Sequence, residues 1–263
     1  MKIMELVEDL KTWNAEPVDE ENTCDTVKAG SVDKEVHKVA LTMFGTVDVI
    51  REVGMWGADL LIVHEPLYYD HMDSIHNLMI IQEKQRIVSE SGLTIFRFHD
   101  YAHAMVPDMI CAGELKYSRL QGEMQERQRF GVTSFVLEHG LTAEELAKTF
   151  ERNLHIDSVR ISGCTDKKGN KIACCFGAPG ELFDLFEDHD FVVAWEISEW
   201  RDAEIARDAA ALGYNKAILV LGHETSERAG MMYMKELCED RYPDLEFRYF
   251  ESGSVLKISA KQS

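Results

Sequence analysis

Apolar positions in the first fourteen residues recur at helical spacing. Ile3, Leu6, Val7, Leu10 and Trp13 fall on one face, so a short amphipathic helix opens the chain. AEPVDEENTCDTVKAGS is acidic and rich in turn formers and reads as a loop. VHKVALTMF reads as a strand. TVDVIREVGMWG follows as a helix, with Thr46 at its cap and Gly57 just past its end. ADLLIVH is an apolar run of strand length. Strand, helix, strand predicts a βαβ unit with a buried parallel pair.

The alternation continues. IHNLMIIQEKQRIVSESG reads as a helix ending at Gly92, and LTIFRFH as a strand. Residues 105–130 read as helical with breaks, and SFVLEHG as a strand. TAEELAKTFERNL opens on Thr142 with Glu145 three positions on, the pattern of a capping box. HIDSVRISG and KIACCFG, on either side of TDKKGN, predict a hairpin. PGELFDLFEDH, DFVVAWE, EWRDAEIARDAAALG and KAILVLGH extend the pattern of strands and helices. The helix SERAGMMYMKELCED and the strand LEFRYFES close it. The fold expected is α/β, a single unit over 1–263 with two lobes carrying largely parallel or mixed sheets and a boundary near 130–140.

With 263 residues the chain is long enough for a substantial core. Its formal charge of −19 repels phosphate backbones and argues against direct nucleic-acid binding. The six cysteines show no C-x-x-C spacing and read as reduced thiols of a cytoplasmic protein. No apolar run approaches the ~18 residues of a membrane span, and acids interrupt the first fourteen residues, so neither an anchor nor a signal peptide is expected. G-x-x-x-x-G-K-[ST] and G-x-S-x-G are both missing, which removes the phosphate loop and the serine hydrolase elbow.

Candidate chemistry collects where strands end. Leu60–Val63 runs into His64 and Glu65. Thr94–Phe98 runs into His99, Asp100 and His103. Ala217–Leu221 runs, through Gly222, into His223 and Glu227. Ligands of open α/β sheets gather at the carboxyl ends of strands, so a metal site in a cleft at these ends is expected. Imidazole with carboxylate suits zinc, iron, manganese or nickel. His99 and His103 are four apart, as are His223 and Glu227, and residues at that spacing share a helix face. Against this stands the bland reading, in which each histidine is a hydrogen-bonded loop residue. Glu196 and Asp100 are candidate proton carriers. Asp100 has a second role open to it, orienting His99 or His103.

ADLLIVHEP resembles the A-D-L-x-x-x-H-H-P segment of the Nif-three-like proteins, many of them labelled GTP cyclohydrolase I type 2-like. HDYAH stands where that family has H-T-N-x-D, and GHETSE matches its G-H-x-x-x-E. AWE answers its T-G-E, FGAPGEL its glycine turn, and CDTVKAG its early W-D-N-x-G-x-x-x-G segment. The resemblance implies a dinuclear centre with His64, Glu65, His103, His223 and Glu227 as ligands, His99 as a further ligand or a residue orienting one, and Glu227 bridging two divalent ions. Glu65 replaces a family histidine and His103 a family aspartate, an exchange that leaves the inventory of ligand types unchanged. The resemblance implies a metal-dependent hydrolase acting on an unidentified small molecule, a phosphoester or nucleotide-derived ring, and a homohexamer. The alternatives are a non-enzymatic metal-binding or partner-binding regulator, or a redox protein using iron.

Overall fold

A computed structural model describes residues 1–129, 131–175 and 180–256. In chain order its strands are β1 (Val27–Ala29), β2 (Lys38–Thr42), β3 (Leu60–Val63), β4 (Thr94–Arg97), β5 (Gly122–Arg129), β6 (Val132–Leu141), β7 (Arg160–Gly163), β8 (Gly169–Cys175), β9 (Phe191–Ala194), β10 (Ala217–Val220) and β11 (Glu246–Tyr249). Its helices are α1 (Ile3–Lys11), α2 (Val47–Trp56), α3 (Met79–Ser91), α4 (Asp100–His103), α5 (Met109–Ser118), α6 (Ala143–Leu154), α7 (Glu204–Ala211) and α8 (His223–Arg241). The chain forms two compact units. The first is Met1–Ile110 with Gly230–Ser252, and the second is Cys111–Ala229 with the residues from Gly253 on.

The first unit holds a five-stranded mixed sheet in the order β1-β4-β3-β2-β11. β11, β2, β3 and β4 run parallel, and β1 is antiparallel to β4. Every residue of β3 and β4 is buried, which is why β3 reads as an unbroken apolar run and neither strand alternates. α2 starts at Thr46, whose side chain accepts from the Val49 amide, and ends at Gly57 in the left-handed conformation. Both ends follow the sequence reading. α1 buries Ile3, Leu6, Val7 and Leu10, as their spacing requires.

The second unit holds a six-stranded mixed sheet, β5-β6-β8-β9-β10-β7. Parallel pairs β8–β9 and β9–β10 sit inside it, and antiparallel pairs border them. Two sequence expectations are corrected here. Residues 122–129 form an edge strand instead of more helix, because GEMQERQR is polar along its length and gives no apolar signal of either period. The hairpin expected from HIDSVRISG and KIACCFG is not made. β8 is apolar over Ile172–Cys175 and buries that run between β6 and β9, while the half-exposed β7 takes the far edge beside β10. Gly163 permits that edge pairing. It lies at φ +107°, and a Cβ there would come within 2.3 Å of the Lys216 carbonyl oxygen.

The division of the chain falls after Ile110 and again after Ala229, where the sequence reading set it near 130–140. That earlier position lies in the β5–β6 antiparallel pair. The late strand β11 returns to β2, which makes the first unit discontinuous in sequence. All six cysteines are buried and free, and among the described residues no helix is long and apolar enough to cross a membrane.

Asp9 on α1 ties the first unit's two chain segments together. Its carboxylate accepts from Arg241 Nε at 2.8 Å, from Arg241 Nη2 at 3.0 Å and from the Tyr242 hydroxyl. The Arg241 and Tyr242 hydrogen bonds hold its pKa down to about 2. A lowered carboxylate pKa adds stability above the unfolded value, and that stability is lost as pH falls through about 2. Asp9→Asn is therefore expected to cost up to about 1 kcal/mol near neutrality, limited by solvent screening. The difference from the unsubstituted chain should vanish toward pH 2, as read by urea denaturation at a series of pH values.

Candidate metal centre

In the first unit, hydrogen bonding of the parallel strands runs on past their ends. The His64 amide donates to the Thr42 carbonyl, the Glu65 amide to Met43 and the Phe98 amide to Val63. His64, Glu65 and His99 are thereby held at the carboxyl edge of the sheet. One turn of α4 then brings His103 round to the same place. The rings of His64, His99 and His103 touch, with centroids 4.7, 5.2 and 4.9 Å apart. Each of the three offers a nitrogen within 4.8 Å of the others, close enough to hold one metal ion. Glu65 joins them, with Oε1 4.0 Å from His99 Nε2.

The protonation of the rings follows from their acceptors. His64 Nδ1 lies 3.0 Å from the Phe98 carbonyl oxygen, which only accepts, so Nδ1 carries the hydrogen. His99 Nδ1 meets Asp100 Oδ1 at 2.8 Å, and His103 Nδ1 meets Asp108 Oδ2 at 2.9 Å. With Nδ1–H donating in all three, Nε2 is the lone-pair atom of each ring, the arrangement found in metal-ligating histidines. Burial, then the neighbouring His99 and His103, push the pKa of His64 well below the ordinary value, so it stays neutral. Burial raises the pKa of Asp100, but hydrogen bonds from His99 and Thr23 outweigh it and hold the carboxyl below the usual range, ionised beside His99.

Three positioning residues were not picked out from the sequence. Asp25 is buried, and its Oδ1 accepts from the His99 amide at 2.7 Å and the Asp100 amide at 3.1 Å. Its Oδ2 accepts from the Tyr101 amide at 2.9 Å. It thus supplies the otherwise missing cap of α4. The adjoining Thr23 hydroxyl and Cys24 amide donate to Asp100 Oδ2, stitching the two segments together. Asp108 orients His103. Arg97 is fully buried at the end of β4, with Nε donating to the His64 carbonyl at 2.9 Å. The available signals were the CDTVKAG segment for Asp25, and for Arg97 a lone cation inside the apolar run LTIFRFH.

The second unit repeats the device on β9 and β10. The Leu221 amide donates to Ala194 and the Gly222 amide to Trp195, and Gly222 turns the chain at φ +90° into α8. His223 packs edge-on against the Trp195 ring at 3.7 Å. Its Nδ1 lies 3.5 Å from Glu196 Oε1 and its Nε2 3.4 Å from Glu227 Oε2. Glu227 is fully buried, while the Glu196 side chain is 71% exposed. Nearby on α5, Glu114 is fully buried, and burial raises its pKa well above the usual range, opposed mainly by Arg228. Of the expected site residues, the first unit therefore gathers His64, Glu65, His99, His103 and Asp100, and the second gathers His223, Glu227 and Glu196. Residues 176–179 of FGAPGEL lie outside the described residues.

The sequence matches the Duf34/NIF3 (NGG1p interacting factor 3) family over residues 1–254. Among solved structures, the fold is similar to protein ybgI, of unknown function. That likeness has a TM-score of 0.79 and 17% identity, covering 97% of this chain and 99% of that one. Reduced HcgD from Methanocaldococcus jannaschii is similar at a TM-score of 0.75 and 19% identity, covering 95% and 97%. A Bacillus cereus protein related to NIF3 is similar at 0.77 and 13%, covering 98% and 99%. No curated protein sequence matches.

Removing the Asp25 carboxylate leaves three backbone donors without their acceptor. Asp25→Ala is expected to lower the unfolding free energy by about 3 kcal/mol, at about 1–3 kcal/mol per buried group left unmatched. Asp25→Asn, which keeps the shape and one acceptor, should cost less. Chemical denaturation checks both. Equal, small effects would show that Asp25 does not hold α4.

Proposed function

The chain belongs to the Duf34/NIF3 family, and from that premise we propose that it is a metal-dependent hydrolase with a dinuclear centre. The observation that carries this reading is the contact of three imidazoles in the first unit, with every Nδ1 on an oxygen acceptor and a carboxylate beside them. The donor set fits a divalent ion. Neutral imidazoles suit zinc, iron or nickel, and carboxylates admit manganese. By the sequence resemblance, His64, Glu65, His99 and His103 of the first unit and His223 and Glu227 of the second would be the residues that hold the ions.

Bound divalent ions supply Lewis acidity and bring the pKa of a water toward neutrality. The residues of the chain do the rest. Asp108 and Asp100 fix the tautomers of His103 and His99, and Asp25 fixes the turn that carries them. Glu196 is the group available to carry a proton. Its carboxyl is exposed and sits against His223, whereas both oxygens of Asp100 are engaged by His99, Thr23 and the Cys24 amide. The substrate is a small molecule with a hydrolysable phosphoester, amide or ring C–N bond. The protein works in the cytoplasm, a location supported by six free cysteines, and as a homohexamer by resemblance.

Metal-replete protein is expected to turn over at least one member of a panel of phosphoesters, cyclic nucleotides and purine rings. Glu227→Gln should lower that turnover about a hundredfold or more while leaving the circular dichroism spectrum unchanged. A metal-loaded protein inert toward the whole panel would favour a metal-binding protein without turnover.

A further inference from the structure

Arg97 is the largest of the fully buried side chains, and it ends a strand whose other residues are all apolar or threonine. A buried guanidinium is costly unless its charge and its donors are met. Here its groups are spread over one loop. Nε donates to the His64 carbonyl at 2.9 Å and Nη1 donates to the His71 carbonyl. Nη2 lies 3.8 Å from Glu65 Oε2, and Nη1 lies 3.8 Å from Asp73 Oδ2. Lys28 meets the same Asp73 oxygen at 2.8 Å. Two cations therefore stand against two carboxylates in the interior, and the segment from His64 to Asp73 is gripped from beneath.

The Glu65 carboxylate is divided by this grip. Oε2 faces Arg97 and Oε1 faces His99 Nε2 at 4.0 Å. We infer that Arg97 is a positioning residue for Glu65. The guanidinium charge 3.8 Å from Oε2 draws that oxygen away from the histidines and leaves Oε1 turned to His99, so that Glu65 would meet a cation there through Oε1. One-oxygen binding matters because it leaves coordination positions open for water and substrate, as a catalytic site requires. The planar fork suits the task, since it donates to the His64 and His71 carbonyls from two fixed nitrogens while its third nitrogen places charge beside Glu65. The inference rests on the reading that the cluster binds a metal.

Cobalt(II) alone is the probe, titrated into chelator-stripped protein and followed by its visible absorption. Arg97→Met should weaken binding about 10–100-fold, the usual cost of losing a partner that orients a ligand. In a Glu65→Gln background the same change should alter affinity less than about threefold, because Arg97 acts through Glu65. Equal weakening in both backgrounds would overturn the inference. Infrared difference spectra of cobalt-loaded against stripped protein give a second reading that needs no Arg97 variant. The carboxylate bands that disappear in Glu65→Gln should show the wide splitting of one-oxygen binding. A narrow, two-oxygen splitting would overturn the inference even if Arg97→Met fails to fold. A wild-type protein that takes up no cobalt would overturn the parent reading itself, an outcome distinct from uptake without coupling.

Discussion

Three imidazole rings in van der Waals contact inside a protein cannot all be protonated, and that constraint shapes the first unit's sheet edge. His64 has no access to water, and each neighbouring ring disfavours its charge further. Each ring sets its Nδ1 against an oxygen acceptor and leaves Nε2 turned toward its neighbours. Phe98 O, Asp100 and Asp108 are those acceptors. A cluster of inward lone pairs is electrostatically unfavourable alone and favourable around a cation, and the three rings lie close enough together to hold one.

The surrounding structure serves that arrangement. Parallel pairing of β2, β3 and β4 brings His64 and His99 to the same edge, and extension of the ladder by the His64, Glu65 and Phe98 amides limits their freedom. Asp25 lies on a loop more than seventy residues from α4, yet its carboxylate stands in for the helix cap. The cost of burying Asp25, visible in its raised pKa, is offset by three amide donors that any other short acceptor would meet less completely. In the second unit a parallel strand end again leads to a histidine, here through the left-handed Gly222 and with His223 opening a helix above the buried Glu227.

Much of this was legible in the amino-acid order. The fully apolar runs of β3 and β10 announced buried parallel strands, Thr46 and Gly57 marked α2 at both ends, and the Thr142–Glu145 box opened α6. The histidines and glutamates were conspicuous because they broke strand runs. What stayed hidden depended on pairing at a distance. No local signal tells β8 to insert between β6 and β9 rather than fold back on β7, and the polar edge strand β5 carries no periodicity to read. Asp25, Asp108 and Arg97 act through neighbours that only the folded chain brings near, and each looks ordinary in its own window of sequence.

The central claim is that the three histidines are a cation seat, and elemental analysis of protein purified without chelator tests it most directly. The account predicts about two divalent ions per chain in the wild type, with loss of at least one in His64→Ala and in His103→Ala at unchanged secondary structure. Metal contents from zero to ~0.2 per chain across several metal-replete preparations would contradict it.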